Sequence, residues 1–116
     1  MRCSHELAIR PGAANGEGIE TFTVEPIALG MCVACTIGFA PEFSRLVIRY
    51  RTDGAAPSTP CDGLPLLDEP ASPGSSYRGC HHPLYRGHEY VYTIFGLDDR
   101  GTIRASATTA GSPSAE

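Results

Sequence analysis

The sequence predicts an all-β sandwich of about seven strands, and three observations predict it. Apolar residues recur at every second position over short runs, the period at which side chains of extended backbone face opposite sides. Thirteen glycines and ten prolines separate those runs, as tight connections between strands require. The run Leu84-Tyr85-Arg86-Gly87-His88-Glu89-Tyr90-Val91-Tyr92-Thr93-Ile94-Phe95 holds a leucine, a turn glycine and tyrosines two apart, and closes on Asp98-Asp99-Arg100-Gly101. It reads as a central strand entering and leaving such a sandwich. No helical 3.6-residue period and no internal repeat is visible.

In chain order, residues 1–18 form an N-terminal arm or linker: an alternating piece, Glu6-Leu7-Ala8-Ile9-Arg10, then a glycine-rich loop from Pro11 to Gly18. The sandwich begins at Ile19-Glu20-Thr21-Phe22-Thr23-Val24, an edge strand with Phe22 and Val24 on one face, whose pairing Pro26 is expected to stop. Gly30 opens Met31 to Phe39, with Val33, Cys35 and Ile37 on one face and Cys32, Ala34 and Thr36 on the other. Neither face carries charge, so this is a central strand or a contact face. From Phe43 to Arg51 the alternation puts Leu46, Ile48 and Tyr50 inward and Val47, Arg49 and Arg51 outward. Residues 52–80 are rich in Pro, Gly, Ser and Asp around one apolar island, Leu64-Pro65-Leu66-Leu67. They are expected to follow a sheet edge with one or two short strands, and so long a segment calls for local pinning. Tyr90 to Phe95 and Thr102 to Thr109 pair as a hairpin across Asp98 to Gly101. The sandwich thus spans 19–110, and residues 111–116 form a flexible tail.

Composition narrows the function classes. A chain of 116 residues makes one domain, able to bury about two-thirds of the surface its unfolded form exposes. The net charge is −4, there is no lysine, and the nine arginines are spread along the chain. Nucleic-acid binding needs clustered cations, so none is expected. Schiff-base chemistry and phosphate-cradling P-loops need a lysine amine and drop out. The charge-free run 27–41, bounded by Pro26 and Glu42, is shorter than the ~18 residues that cross a bilayer, so no membrane span is expected. No apolar segment follows Met1-Arg2-Cys3-Ser4-His5-Glu6, so no secretory signal is visible.

The cysteines stand at 3, 32, 35, 61 and 80 and the histidines at 5, 81, 82 and 88. Cys32-Val33-Ala34-Cys35 has the spacing of a redox or zinc pair, but residues three apart in a strand point to opposite faces, so without a bulge the two thiols do not readily share a metal or a bond. Cys61 and Cys80 bracket the irregular segment and are expected to staple it, a loop closure worth about 3 kcal/mol. Cys3 with Cys32 would tie the arm to the outward face of the second strand, leaving Cys35 inward as a small apolar side chain. A metal set of Cys61, Cys80, His81 and His82 is chemically feasible, since thiolate and imidazole suit zinc, but its spacing matches no finger or ribbon. No metal and no cofactor is expected. The histidines come with no Ser-His-Asp order and no paired carboxylates, so no catalytic residue is assigned and the chain reads as no enzyme. Asp98 and Asp99 fall short of the six to eight oxygens calcium usually takes, and a hairpin turn explains them.

Several stretches taken in order resemble a fibronectin type III-like domain, an immunoglobulin-like β-sandwich found in bacterial extracellular and phage virion proteins. They are Leu46-Val47-Ile48-Arg49-Tyr50-Arg51, Pro57-Ser58-Thr59-Pro60, Asp62-Gly63, Leu66-Leu67-Asp68, Gly74-Ser75-Ser76-Tyr77, Leu84 to Tyr90, and Tyr92-Thr93-Ile94-Phe95 with Asp98 and Gly101. The element Leu84, Gly87, Tyr90 is the most specific: in the family its tyrosine makes a structural corner by hydrogen bonding back to backbone. Two departures stand out. Ile37 occupies the place where such domains often put a core tryptophan, and five cysteines are unusual. The resemblance implies a non-catalytic structural, adhesive or interaction module, extracellular or on a virion surface, whose partners are other proteins or copies of itself. The arm would either fold onto its own domain or add a strand to a neighbour's sheet edge and so build a polymer. A carbohydrate-binding module is the alternative; it needs exposed aromatics in a row, for which Tyr77 and Tyr85 are the loop candidates.

Overall fold

The computed structural model describes residues 18–39, 43–84 and 88–113. Seven strands follow one another: β1 (Ile19–Ile27), β2 (Gly30–Ile37), β3 (Arg45–Arg51), β4 (Leu64–Pro70), β5 (Ser76–His81), β6 (Tyr90–Leu97) and β7 (Ile103–Gly111). They form two antiparallel sheets, one in the order β1-β2-β5 and one in the order β4-β3-β6-β7. The all-β, two-sheet reading of the sequence is therefore the observed architecture. The alternating piece 6–10, the rest of the arm to residue 17, Gly87 and the last three residues of the tail lie outside the described residues.

Alternation in the sequence builds the core directly. Met31, Val33, Cys35 and Ile37 of β2 face Leu46 and Ile48 of β3 and Tyr90, Tyr92 and Ile94 of β6, with Phe22 and Val24 packed at the margin. Each is the inward member of its strand's period of two. Strand β6 is buried at all eight positions and is central in its sheet, paired with β3 on one side and β7 on the other. Gly96 takes its place there for want of room: a Cβ on it would stand 2.5 Å from the Phe43 ring.

Several local expectations need correction. Pro26 does not stop the pairing of β1, which runs on through Pro26↔Met31 to Ile27↔Gly30. Strand β1 is at the sheet edge, so the position where proline lacks a donor costs no ladder bond. The turn that follows puts Leu29 at φ 54°, and the Leu29 carbonyl accepts from the Leu84 amide at 2.7 Å. Val47 faces outward as expected yet is buried, joining Phe95, Leu97 and the half-buried Ile103 in a second apolar cluster outside the four-stranded sheet. Gly111, assigned to the tail, closes β7 opposite Tyr90.

The segment 52–80 holds two short strands, within the one or two expected, but they do not follow a single sheet edge. The apolar island becomes β4 and pairs with β3, whereas β5 crosses to the other sheet and pairs with β2. The crossing is made at the upper end of the sandwich. There the Ser44 amide donates to Leu97, the Ala71 amide to Ser44, the Ile37 amide to Ser75 and the Gly74 amide to Gly38. At the same end Asp98 shapes the β6–β7 turn, its Oδ1 accepting from the amides of Arg100 and Thr102 at 2.9 Å each.

Candidate functional site

At the lower end, where β3 and β5 finish and β6 starts, four rings meet. His81 Nε2 stands 2.7 Å from the Tyr92 hydroxyl, and the His81 ring packs edge-on to Tyr50 at 4.8 Å between centroids and to Tyr92 at 5.7 Å. Tyr90 completes the group, 6.2 Å from Tyr50. The sequence places them there: Tyr50 is the inward residue near the end of β3, Tyr90 and Tyr92 are inward on β6, and His81 is the last residue of β5. Sequence reading found both β6 tyrosines but placed His81 only in a feasible metal set and gave it no place in the core. The signal it missed is that Tyr77, Gly79 and His81 share a face by period two.

Burial sets the protonation of this group. Tyr92 is fully buried, and desolvation, with smaller contributions from Tyr50 and Tyr90, pushes its phenol pKa far up. The Tyr50 phenol is raised for the same reason. Desolvation, and then the neighbouring His82, lowers the His81 imidazole below its ordinary value. Neutral His81 and a neutral phenol suit each other as one hydrogen-bond pair. The chemistry this allows is positioning: the pair satisfies two polar groups inside an apolar end of the core.

A pH dependence of stability follows. Because the folded-state pKa of His81 is depressed, the unfolded chain binds its proton first as pH falls below about 6.5. Stability contributed by neutral His81 is fully present above that pH, is lost as pH falls toward the lower folded pKa, and then levels off. Urea unfolding at several pH values between about 7 and 5 is expected to show this slope. The slope should flatten in His81→Gln, and an identical profile in the variant would contradict the assignment.

The outer side of β3 carries the pinning that the long segment needed, and arginines supply it. Arg49 Nε donates to the Pro60 carbonyl at 2.6 Å and Arg49 Nη1 to Gly63 at 3.0 Å. Arg51 pairs with Asp62 at 2.9 Å and with Asp53, and Asp62 also accepts the Ser58 amide at 2.8 Å. These contacts hold the Asp53 carboxyl down at about 2, chiefly through Arg51. Asp62 is lowered as well, first by the Ser58 amide. Nearer the upper end Arg45 grips Asp68 through Nε and Nη2, both at 2.7 Å. This two-point pair borders an open groove of about 340 Å³ whose other acidic walls are Glu69, Asp98 and Asp99. Its charges have partners of their own: Asp99 accepts from the Ser44 hydroxyl at 3.0 Å, and Asp98 serves the turn.

The cysteines pair differently from the sequence expectation. Cys80 is bonded to Cys32, with Cα atoms 3.9 Å apart, and not to Cys61; Cys32 is accordingly not available to Cys3. The reason is register: β2 and β5 set Cys32 directly opposite Cys80, and one or two short strands along a sheet edge gave no sign that one of them would pair with β2. Cys61 is also disulfide-bonded. Cys35 is a reduced, buried thiol, pushed up to about 11 by burial, on the opposite face from Cys32 as strand geometry requires. The feasible metal set of Cys61, Cys80, His81 and His82 does not assemble, since both sulfurs are in disulfides and His81 is held by Tyr92. No group of three or more metal-ligating side chains forms among the described residues.

Tyr77 is not a loop aromatic. It lies in β5, and its hydroxyl donates to the Pro70 carbonyl at 2.8 Å and accepts the Ser72 amide at 2.9 Å, closing the crossover between sheets. Tyr85 lies outside the described residues. Of the corner residues, Leu84 is half-buried and packs on the core and Tyr90 is buried at the start of β6. Among the described residues no helix is long and apolar enough to cross a membrane. Comparison of the chain with protein-family models, with curated proteins and with solved structures finds no match.

Proposed function

We propose that this chain is a non-catalytic structural or interaction module of the fibronectin type III-like kind, working in an extracellular or virion-surface assembly. The observation that carries the reading is the strand order β1-β2-β5 against β4-β3-β6-β7, with β3 and β6 central and Tyr90 opening β6. The cross-strand disulfide supports an oxidising compartment, where such bonds persist. The reactive side chains support a scaffold: His81 is bonded to Tyr92, and Arg45, Arg49 and Arg51 hold loops. Its contacts are with other proteins or with copies of itself.

Fractionation of the native source tests this. The chain is expected in the secreted or particle fraction, in a complex heavier than its own mass, with Cys32 and Cys80 oxidised. Recovery as a reduced cytoplasmic monomer would contradict it.

A further inference from the structure

We infer that the outer edge of β5 is a docking site for one extended segment of another polypeptide, acidic on its outward row and apolar on its inward row. The inference deepens the interaction reading above and rests on it for the class of partner.

The edge is set by register. The Ile37 amide donates to the Ser75 carbonyl, which in the β2–β5 register makes the odd-numbered residues of β5 the hydrogen-bonded partners of β2. In an antiparallel ladder the residues between them turn their amides and carbonyls the other way. Those residues are Ser76, Arg78 and Cys80, all exposed, and among the described residues no strand pairs with them there. The other edges are blunted: β1 carries Pro26, β4 carries Pro65 and Pro70, and β7 lies against β1.

The place beside that edge is one strand wide. The His81 and Tyr50 rings meet at 4.8 Å, so β5 lies over β3, and among the described residues the three-stranded sheet stops short of β4. None of the seven residues of β4 is buried, and Leu64 is 52 % exposed. A strand added to β5 stands about 4.8 Å further out, over Leu67 and Leu64. Gly79 faces inward between Tyr77 and His81, and no described atom lies within 4 Å of where its Cβ would be. That leaves a slot for an apolar side chain of the added strand. On the outward row Arg78 is 61 % exposed and reaches Glu25 only at 4.0 Å, so a carboxylate opposite it is favoured. A second copy in antiparallel pairing does not fit, because joining two β5 edges drives the β4 of each copy into the layer that the other's β3 and β4 fill.

Titration of the isotopically labelled full chain with a capped heptapeptide alternating glutamate and leucine tests the site, with lysine in place of glutamate as the counterpart. Saturable shifts of the Ser76, Arg78 and Cys80 amides are expected, together with nuclear Overhauser contacts from the peptide leucines to the Leu67 methyls. The glutamate peptide should bind more tightly, against the chain's net charge of −4, and Arg78→Glu should reverse that order. Gly79→Val, which puts a side chain into the slot, should bind the glutamate peptide about tenfold more weakly with the amide spectrum of β2 and β6 unchanged. Absence of saturable shifts along β5, shifts centred on β1 or β7, or the same peptide order in Arg78→Glu would overturn the inference. Dimers of the free chain built on β5–β5 contacts would overturn it as well. The titration uses the purified chain alone, so its failure is separable from a failure of the fractionation that tests the module reading.

Discussion

Replacing Cys32 and Cys80 together by alanine is expected to lower the unfolding free energy by about 4 kcal/mol. The two residues are 48 apart in sequence, so the bond closes a large loop in the unfolded chain, and the chain-entropy account assigns most of its value to that state. The folded state loses comparatively little, because β5 keeps its backbone pairing to β2, the two Tyr77 hydroxyl bonds and the His81–Tyr92 contact. Urea unfolding should show a lower midpoint and a steeper denaturant dependence, since the unlinked unfolded chain exposes more surface. A double variant as stable as the parent would place the link somewhere other than across β2 and β5.

Ile94→Ala should cost about 2–5 kcal/mol, the range for deleting a large aliphatic side chain from a well-packed core. Ile94 is fully buried on the middle of β6, paired across the sheet with Ile48 and facing the β2 residues of the other layer. Space left there is bounded by Leu46, Tyr92 and Val33 in the same packed cluster, which have little freedom to collapse into it. Leu64→Ala is the contrast. Leu64 belongs to the apolar island of the sequence but is 52 % exposed at the start of β4, so its loss should stay within about 0.5 kcal/mol. Equal losses in the two variants, read from urea midpoints at constant slope, would contradict the assigned sidedness of β4 and β6.

The strands with clean alternation were legible before any coordinates. In β2, β3 and β6 the inward residues Val33, Cys35, Ile37, Leu46, Ile48, Tyr90, Tyr92 and Ile94 follow from period two alone, since a charged or polar residue on the core face would go unpaired. The Asp98 to Gly101 turn was legible because aspartate and glycine each have a local mechanism there: Gly101 adopts φ 84° and the Asp98 carboxylate accepts turn amides. Strand β5 was not legible. Ser76-Tyr77-Arg78-Gly79-Cys80-His81 offers one large apolar side chain, and its extended form comes from partners distant in sequence. That one omission moved the disulfide, because the mate of Cys32 is set by which strand lies beside β2. It also hid the lower end of the core, where His81 becomes meaningful only once it faces Tyr92. Val47 shows a different limit: period two gives the side on which it lies, while its burial depends on what covers that side.

The organising claim is that β4 and β5, consecutive in the chain and separated by only a short crossover, belong to different sheets. Cross-strand nuclear Overhauser contacts between backbone protons in the labelled protein test it most directly. The architecture predicts contacts between Val33 and Gly79 and between Ile48 and Leu67, together with those joining Ile48 to Ile94. A ladder of contacts pairing Leu64–Pro70 with Ser76–His81 as a hairpin would contradict it, because both segments would then lie in one sheet and Cys80 would stand away from Cys32.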